Sequence, residues 1–264
     1  MKRFAKAIIA GVVIAAIGVV VLICALGAGS WDFSRADNWE QETFVSDTNF
    51  KTLSIEADAG KVFVKRGSTN AVVVNYDYND KYQPKIEEKG ETLRIETGTR
   101  KWYDSNNWFN DAPSIEILVN ETFSPEIKLE LNAGTVEIGD GDWGTLINVE
   151  LNAGTVSLGD VVVDQIYLDV NAGAFKADKI ESVVFSCTIS AGSAYVKKLD
   201  SKNTTVDVSA GSIKLDAVGS KQDYNIIADK SAGSCNVVSQ SVPGAVRFIK
   251  VDVSAGSVKI NFDN

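Results

Sequence analysis

The sequence contains no histidine and only three cysteines among 264 residues. Without histidine, the chain lacks the commonest general base and the commonest zinc ligand. Cys24 lies in an apolar N-terminal run, which leaves Cys187 and Cys235 for the rest of the chain. Two cysteines make no disulfide framework. The composition therefore excludes a disulfide-rich scaffold and indicates no cofactor, metal or catalytic site.

Basic residues are also few. All 35 acidic residues but only 23 of the 26 basic ones follow residue 29, so this part of the chain carries a net charge of −12. Such a charge repels phosphate backbones and anionic headgroups, which excludes nucleic acid as a partner. It suits cations, basic partners or simple solubility.

An uncharged run of 23 residues, Ala7–Gly29, follows a basic N-terminus. As a helix it would be about 35 Å long, enough to cross a hydrocarbon core of about 30 Å. Because Lys2, Arg3 and Lys6 precede the run, the positive-inside rule leaves residues 1–6 in the cytoplasm. A cleaved signal peptide is the alternative, although its apolar core is usually only about 7 to 15 residues long. We therefore expect a single-pass protein of the cell membrane, with a transmembrane helix at 7–29, a linker at 30–49 and the bulk of the chain extracytoplasmic.

The dipeptide Ala-Gly recurs along the rest of the chain. Its alanines are Ala59, Ala133, Ala153, Ala172, Ala191, Ala210, Ala232 and Ala255. From Ala133 onward the intervals are 20, 19, 19, 19, 22 and 23 residues, and a fixed period near 20 is typical of a solenoid. Apolar residues alternate on both sides of each dipeptide, as at Val149, Leu151, Val156 and Leu158, which indicates half-buried strands.

The fold predicted from this repeat is all-β. We expect a single-stranded β-helix over residues 50–264, with 19 to 23 residues per coil, an Ala-Gly corner and four inward columns of side chains per coil. The absence of a strict six-residue repeat favours a right-handed coil. Between Gly60 and Ala133 the dipeptide is missing, and we expect three or four less regular coils there, with strands at 72–78, 93–97, 115–119 and 127–131.

A polar and aromatic segment without periodicity, Thr99–Ser114, interrupts this region and is typical of an inserted loop. Aromatic faces beside amide groups suit sugars or protein surfaces. The candidate ligand or partner contacts are therefore its four aromatic residues, Trp102, Tyr103, Trp108 and Phe109. The alternative is that these rings fold back over the irregular coils and act only in packing.

An acidic column precedes the corners by three residues. It contains Glu56, Glu130, Glu150, Asp169, Thr188, Asp207, Asp229 and Asp252. Neighbouring coils are about 4.8 Å apart, so adjacent carboxylates would repel one another unless screened. A solvated face, screened by salt and by Lys176, Lys214 and Lys259, is favoured over cation binding or acid-base catalysis, because a regular row gives every carboxylate much the same environment.

Three further features predict local structure. Asn or Ser stands before most corners, and we expect these side chains to form a ladder that satisfies backbone groups. The segment Gly139–Gly144 is predicted to be a tight turn rather than a calcium loop. Lys230 occupies an inward position, so we expect a bulge or an outward turn there. Cys187 and Cys235, two repeats apart in the sequence, should not pair.

With its membrane segment and its copies of LELNAGTVEIGD, VELNAGTVSLGD and KVDVSAGSVKIN, the chain resembles the bacterial membrane-anchored β-strand-repeat family labelled "putative adhesin". The resemblance covers about residues 44–264. It implies a β-helical protein of the cell envelope, found mainly in Gram-positive bacteria and sometimes beside envelope-stress signalling genes. It supplies no catalytic residues.

The function that follows is non-enzymatic. We expect a membrane-tethered solenoid that presents a surface, as scaffold or adhesin-like module, to an envelope polysaccharide or a membrane protein. The second interpretation is an accessory ectodomain of an envelope-stress sensing system. The third, which is disfavoured, is a polysaccharide-active solenoid enzyme.

Overall fold

The computed structural model describes residues 39–46, 50–79, 82–98 and 113–263. The predicted transmembrane helix at 7–29 and the four aromatic residues of the predicted contact loop lie outside these ranges. Within them, no helix is long and apolar enough to span a membrane.

The described chain is all-β apart from one 3-10 turn at Lys221–Asp223, so the all-β part of the predicted fold class is confirmed. The first ten strands are β1 Glu40–Ser46, β2 Thr52–Ala57, β3 Lys61–Gly67, β4 Val72–Tyr78, β5 Lys85–Lys89, β6 Thr92–Glu96, β7 Ser114–Asn120, β8 Glu126–Leu131, β9 Thr135–Ile138 and β10 Gly141–Asp142. The others are β11 Leu146–Leu151, β12 Thr155–Val170, β13 Ala174–Ile189, β14 Ser193–Val208, β15 Ser212–Ala217, β16 Tyr224–Lys230, β17 Ser234–Cys235, β18 Arg247–Val253 and β19 Ser257–Phe262.

The strands pair between coils, in parallel, to make a solenoid. On the face before the corners, the spatial order is β6, β2, β8, β11, β12, β13, β14, β18 and β16. On the face after the corners, it is β7, β3, β9, β12, β13, β14, β15, β19 and β17. Nine coils therefore stack in one sheet. The handedness of the coil stays a prediction.

Alternating side chains fill the interior, and all four predicted inward columns face it. The coil of β12 shows that there are seven inward columns rather than four, because the chain stays extended between its two faces. They are occupied in this coil by the buried residues Val156, Leu158, Val161, Val163, Ile166, Leu168 and Val170. Of the three columns that the sequence did not predict, those of Val161 and Val163 lie between the faces that flank the corner, whereas that of Ile166 lies on the face before the corner.

The region before Ala133 differs from the prediction of three or four irregular coils. β2 and β3 form the coil directly next to β8 and β9, so the first two Ala-Gly corners are neighbours in the stack. Only one further coil, β6 and β7, lies outside them. The four predicted strand segments exist as β4, β6, β7 and β8. β4 and β5 turn back as antiparallel strands at this end of the stack, because their edges have no further coil to pair with.

β1 covers the open edge of β4 in an antiparallel pair. It lies inside the segment 30–49 that the sequence assigns to a linker, so the folded part of the chain begins before residue 50. Tyr76 and Tyr78 on β4 donate hydrogen bonds to Glu42 and Glu40 on β1, at 2.8 and 2.5 Å. The end strand is thus held by side chains as well as by backbone pairing.

At the other end, the order of coils departs from the order of the sequence. β18 and β19 insert between β14 and β15 on one side and β16 and β17 on the other. Lys230 explains the order physically: it pairs with Val253 in an inward column, yet it is exposed because no coil covers it. Lys230 is exposed, whereas the expected bulge is absent, since β16 keeps its register with β18 throughout.

Candidate functional site

The predicted acidic column forms one continuous row on the outside of the stack. Its order, from the end near β6, is Glu96, Glu56, Glu130, Glu150, Asp169, Thr188, Asp207, Asp252 and Asp229. We call this row the acidic ridge. Glu96 extends it by one position that the sequence pattern did not reveal, because no Ala-Gly corner follows that residue.

Arg94 balances only one end of the acidic ridge. Its guanidinium lies 2.7 Å from Glu56 and 2.8 Å from Glu96. Over the described ranges, no ion pair reaches the ridge carboxylates from Glu130 to Asp229. No group of three acidic or cysteine side chains in the described part of the chain is arranged to hold a metal ion.

A second row lies on the opposite side of the corners, three residues after each corner glycine. Its central members are Lys176, Tyr195, Lys214 and Lys259, in consecutive coils. We call this row the lysine-tyrosine ridge. Within the described ranges, no ion pair joins these lysines to the acidic ridge, so screening of the ridge by them stays a prediction. Lys214 instead contacts Asp216 at 3.3 Å and the Tyr195 hydroxyl at 3.2 Å.

Between the two ridges runs a shallow groove along the corners, with a volume of about 570 Å³. Its floor and walls are glycine, alanine and serine from four consecutive corners: Gly154, Ala172–Ala174, Ala191–Ser193 and Ala210–Ser212. Larger residues cannot replace the glycines, because a Cβ on Gly211 would lie 2.3 Å from the carbonyl oxygen of Gly192. We call this feature the corner groove.

The residues before the corners form the predicted ladder, although its bonds differ from the prediction. Asn171 donates to Asn152 at 2.8 Å, Asn152 to Asn132 at 2.8 Å, and Asn132 to the carboxylate of Asp58 at 2.9 Å. The side chains therefore bond to one another along the stack, and the corner backbone groups pair between coils instead. The arrangement is structural.

The segment Gly139–Gly144 is not the predicted tight turn, because it contains the short strand β10, which pairs in parallel with β12. Its aspartates accept backbone hydrogen bonds: Asp140 accepts from the Asp160 amide at 2.7 Å, and Asp142 accepts from the Gly144 amide at 2.9 Å. Trp143 is fully buried, with its indole N–H 3.0 Å from the carbonyl oxygen of Gly139 and the Arg66 guanidinium 4.0 Å from its ring centroid. These contacts make the segment a packing element of the stack.

The described residues on either side of the predicted contact loop are Gly98 and Pro113. They flank the position where the coil of β6 and β7 would have its corner. The carbonyl oxygen of Pro113 accepts a hydrogen bond from the amide of Lys61 in the neighbouring coil, at 2.9 Å. Residues 99–112 lie outside the described ranges. Contact through Trp102, Tyr103, Trp108 and Phe109 stays a prediction.

A protein-family model described as Toastrack DUF4097 matches residues 50–264. No curated protein matches the chain. Among solved structures, a putative adhesin from Bacteroides fragilis is similar at 13% identity and a TM-score of 0.48, over 86% of this chain and 98% of the other. A putative lipid binding protein from Parabacteroides distasonis is similar at 16% identity and a TM-score of 0.49, over 87% and 98%. A putative adhesin from Parabacteroides merdae gives 9% identity and a TM-score of 0.49 over the same shares.

Proposed function

The chain belongs to the Toastrack DUF4097 family, and on this basis we propose that it is a non-enzymatic, membrane-tethered β-solenoid that presents a binding surface outside the membrane. The observation that carries the proposal is the unbroken register of the outward columns. Along the nine stacked coils, the acidic ridge places a carboxylate, or Thr188 in one coil, about every 4.8 Å over a length of about 38 Å. Such rows suit an extended polymer or another protein surface better than a small substrate.

The strand order supports a tether at one defined end. β1 begins at Glu40 and pairs with β4 at the same end of the stack as the coil of β6 and β7. Residues 30–39 can extend over about 35 Å at most. An anchor at 7–29 would therefore join the stack at the end that carries β1.

A binding assay with envelope material tests the proposal. The full chain should sediment with isolated cell-wall polysaccharide, and replacement of Trp102 and Trp108 by alanine should reduce the sedimented fraction. Val183→Ala, at an exposed position of β13, is the matched control. If the unchanged chain, the double alanine variant and the Val183→Ala control sedimented equally, the loop would not be a contact. If none of them sedimented, the polysaccharide would not be a partner.

The anchor is tested separately. Mass spectrometry of the membrane-extracted chain should find an uncleaved N-terminus, and protease added outside intact cells should digest the part after residue 40. A mature N-terminus near Ser30 would show that the apolar run is a cleaved signal peptide.

A second candidate function is an accessory ectodomain for a membrane sensing system. Gly98 and Pro113, the described residues on either side of the predicted contact loop, lie at the same end of the stack as β1, where an N-terminal tether would join. A photo-crosslinker at position 108 should then form adducts with an integral membrane protein, whereas the same group at position 183 should not. Adducts with wall polysaccharide alone would favour the adhesin-like function.

A further inference from the structure

Four consecutive coils carry matching residues on the two sides of their corners. Asp169 and Lys176 flank one corner, Asp207 and Lys214 a second, and Asp252 and Lys259 a third. Between the first and the second of these coils lies the coil of Thr188 and Tyr195, in which both positions are uncharged. In these coils, each carboxylate of the acidic ridge therefore has a lysine on the other side of its corner. The one hydroxyl of the ridge in these coils, on Thr188, has the hydroxyl of Tyr195 there.

The match is confined to these coils. Across the corners nearer β1, the residues opposite Glu56, Glu130 and Glu150 are phenylalanine, glutamate and serine. In the end coil the residue opposite Asp229 is Asn236. The matching coils are therefore a distinct segment of the surface, at the end away from β1.

These opposite charges do not neutralise one another inside one molecule. In the parts of the chain that the structure describes, neither Asp169 nor Lys176 takes part in an ion pair, and the same is true of Asp252 and Lys259. The corner stands between the two members of each pair. The four residues without an ion pair therefore present unpaired charges to whatever approaches the corner from outside, whereas Lys214 already pairs with Asp216 of its own coil.

The corner groove coincides with this segment. It runs over the corners at Ala172, Ala191 and Ala210, which are exposed methyl groups, and it contains no side chain larger than serine. Small residues allow two backbones to approach closely, as a bulky corner would not. The geometry thus permits a second surface to come near enough for Asp and Lys side chains to meet across the corner.

We propose that two copies of this chain associate side by side through this corner face, with their stacks parallel and their coils in register. A two-fold axis parallel to the stack brings the acidic ridge of each copy opposite the lysine-tyrosine ridge of the other, whereas an antiparallel arrangement would place acid against acid. The contact is isologous and closes as a dimer. Exposed charge pairs fix orientation and register more than they add affinity.

The register follows from the pattern of charges. A shift by one coil would set Asp169 against the partner's Tyr195 and Lys176 against the partner's Thr188, so charge pairs would be lost at once. The parallel direction also agrees with a tether at the β1 end of both copies, although the association does not require it. Confinement to a membrane would only raise the effective concentration of the two copies.

Cysteine crosslinking of the full chain tests the proposal. In a background with serine at positions 24, 187 and 235, Ala191→Cys should form a disulfide-linked dimer under mild oxidation, because this corner meets its own copy at the axis. Val183→Cys, which is exposed on another face, should give at least five-fold less dimer. Equal yields, or a dimer that forms only between Ala172→Cys and Ala210→Cys, would overturn the parallel contact.

Charge reversal tests the register. Asp169→Lys and Lys176→Asp should each lower the yield of the Ala191→Cys dimer several-fold, and the double variant should restore it, since each copy then offers the reversed pair. Asp164→Lys, an exposed change away from the corner, is the charge-matched control and should have no effect. Failure of the double variant to restore the dimer, with both variants folded by circular dichroism, would refute the in-register pairing.

Discussion

Gly60 and Gly134 lie in adjacent coils although 74 residues separate them in the sequence. The amide of Thr135 donates to the carbonyl oxygen of Gly60 at 3.0 Å, and a Cβ on Gly134 would lie 2.3 Å from that oxygen. The strands between these two coils in the sequence, β4 to β7, do not lie between them in the stack. They fold back to form the outer coil and the antiparallel strands beside it.

We expect Gly134→Ala to lower the free energy of unfolding by about 2 to 5 kcal/mol. Its φ of +102° costs an alanine about 1 to 2 kcal/mol, and the collision with the Gly60 carbonyl adds about 1 to 3 kcal/mol. Gly244→Ala is the control, because its φ is +82° but nothing lies within 4 Å of the added Cβ. Urea unfolding of both variants measures the difference, and equal losses would show that the coils do not touch at this corner.

We expect Asn152→Asp to destabilise the solenoid by about 2 kcal/mol. The change removes the amide donor to Asn132 and places a carboxylate beside the ladder that ends on Asp58. Asn152→Ser, which copies the residue of the later coils, should cost only about 1 kcal/mol. Thermal unfolding compares the two, and equal melting temperatures would refute a bonded ladder.

We expect Trp143→Ala to cost about 3 to 5 kcal/mol, because a fully buried indole leaves a large cavity. Trp143→Phe should cost less, since it loses mainly the hydrogen bond to Gly139 and part of the stacking with Arg66. Chemical denaturation measures both. A melting temperature unchanged by the alanine variant would mean that the segment Gly139–Gly144 does not pack against the coils.

Alkaline pH should release β1. Burial, and then the hydrogen bond to Glu42, raises the pKa of Tyr76 to about 12. Because the folded pKa lies above the ordinary value of about 10, the contribution of the neutral hydroxyl is complete below about pH 10 and is lost as the pH rises towards 12. The hydrogen bond to Glu40 likewise raises the pKa of Tyr78.

Hydrogen exchange detects this release. The exchange rates have to be corrected for the acceleration of exchange by hydroxide. After that correction, the amides of 40–46 should lose protection at a lower pH than those of β12. The variant Tyr76→Phe should already show reduced protection at pH 8. If the protection of β1 depended neither on pH nor on the Tyr76→Phe substitution, the tyrosine contacts would contribute nothing to holding this strand.

The two cysteines of the solenoid should react very differently with a thiol reagent. Burial raises the pKa of the Cys187 thiol, which is fully enclosed, whereas Cys235 is half-buried in the end coil. With Cys24 replaced by serine, Cys235 should be modified in native protein and Cys187 only after unfolding. Equal rates would contradict the coil order.

The same coil order bears on disulfide formation. The sequence places these cysteines two repeats apart, but the insertion of β18 and β19 separates them by three coil steps, or about 14 Å. That distance exceeds the about 7 Å that a disulfide tolerates between Cα atoms. Recovery of a Cys187–Cys235 disulfide from unreduced protein would therefore contradict the strand order.

Much of the local structure could be predicted from the sequence. Alternation around Leu151 and Val156 identified half-buried strands, and the Ala-Gly period placed Glu150 beside Asp169 in the acidic ridge. These features depend only on spacing, since a period of two sets the buried face and a fixed coil length aligns equivalent residues. Val161 and Val163 were missed because they lie between the faces that flank the corner, and Ile166 was missed because the corner pattern marks only two inward positions on each side.

By itself the sequence determined that the chain forms coils of about 20 residues, which side chains face inward, and which acids share a row. Only the tertiary structure decided which coil lies next to which. The alternation of one coil fits the edge of almost any other, so local pattern leaves the order of coils open. Lys230 settles it at one end, because a charged side chain in an inward column is stable only where no further coil covers it.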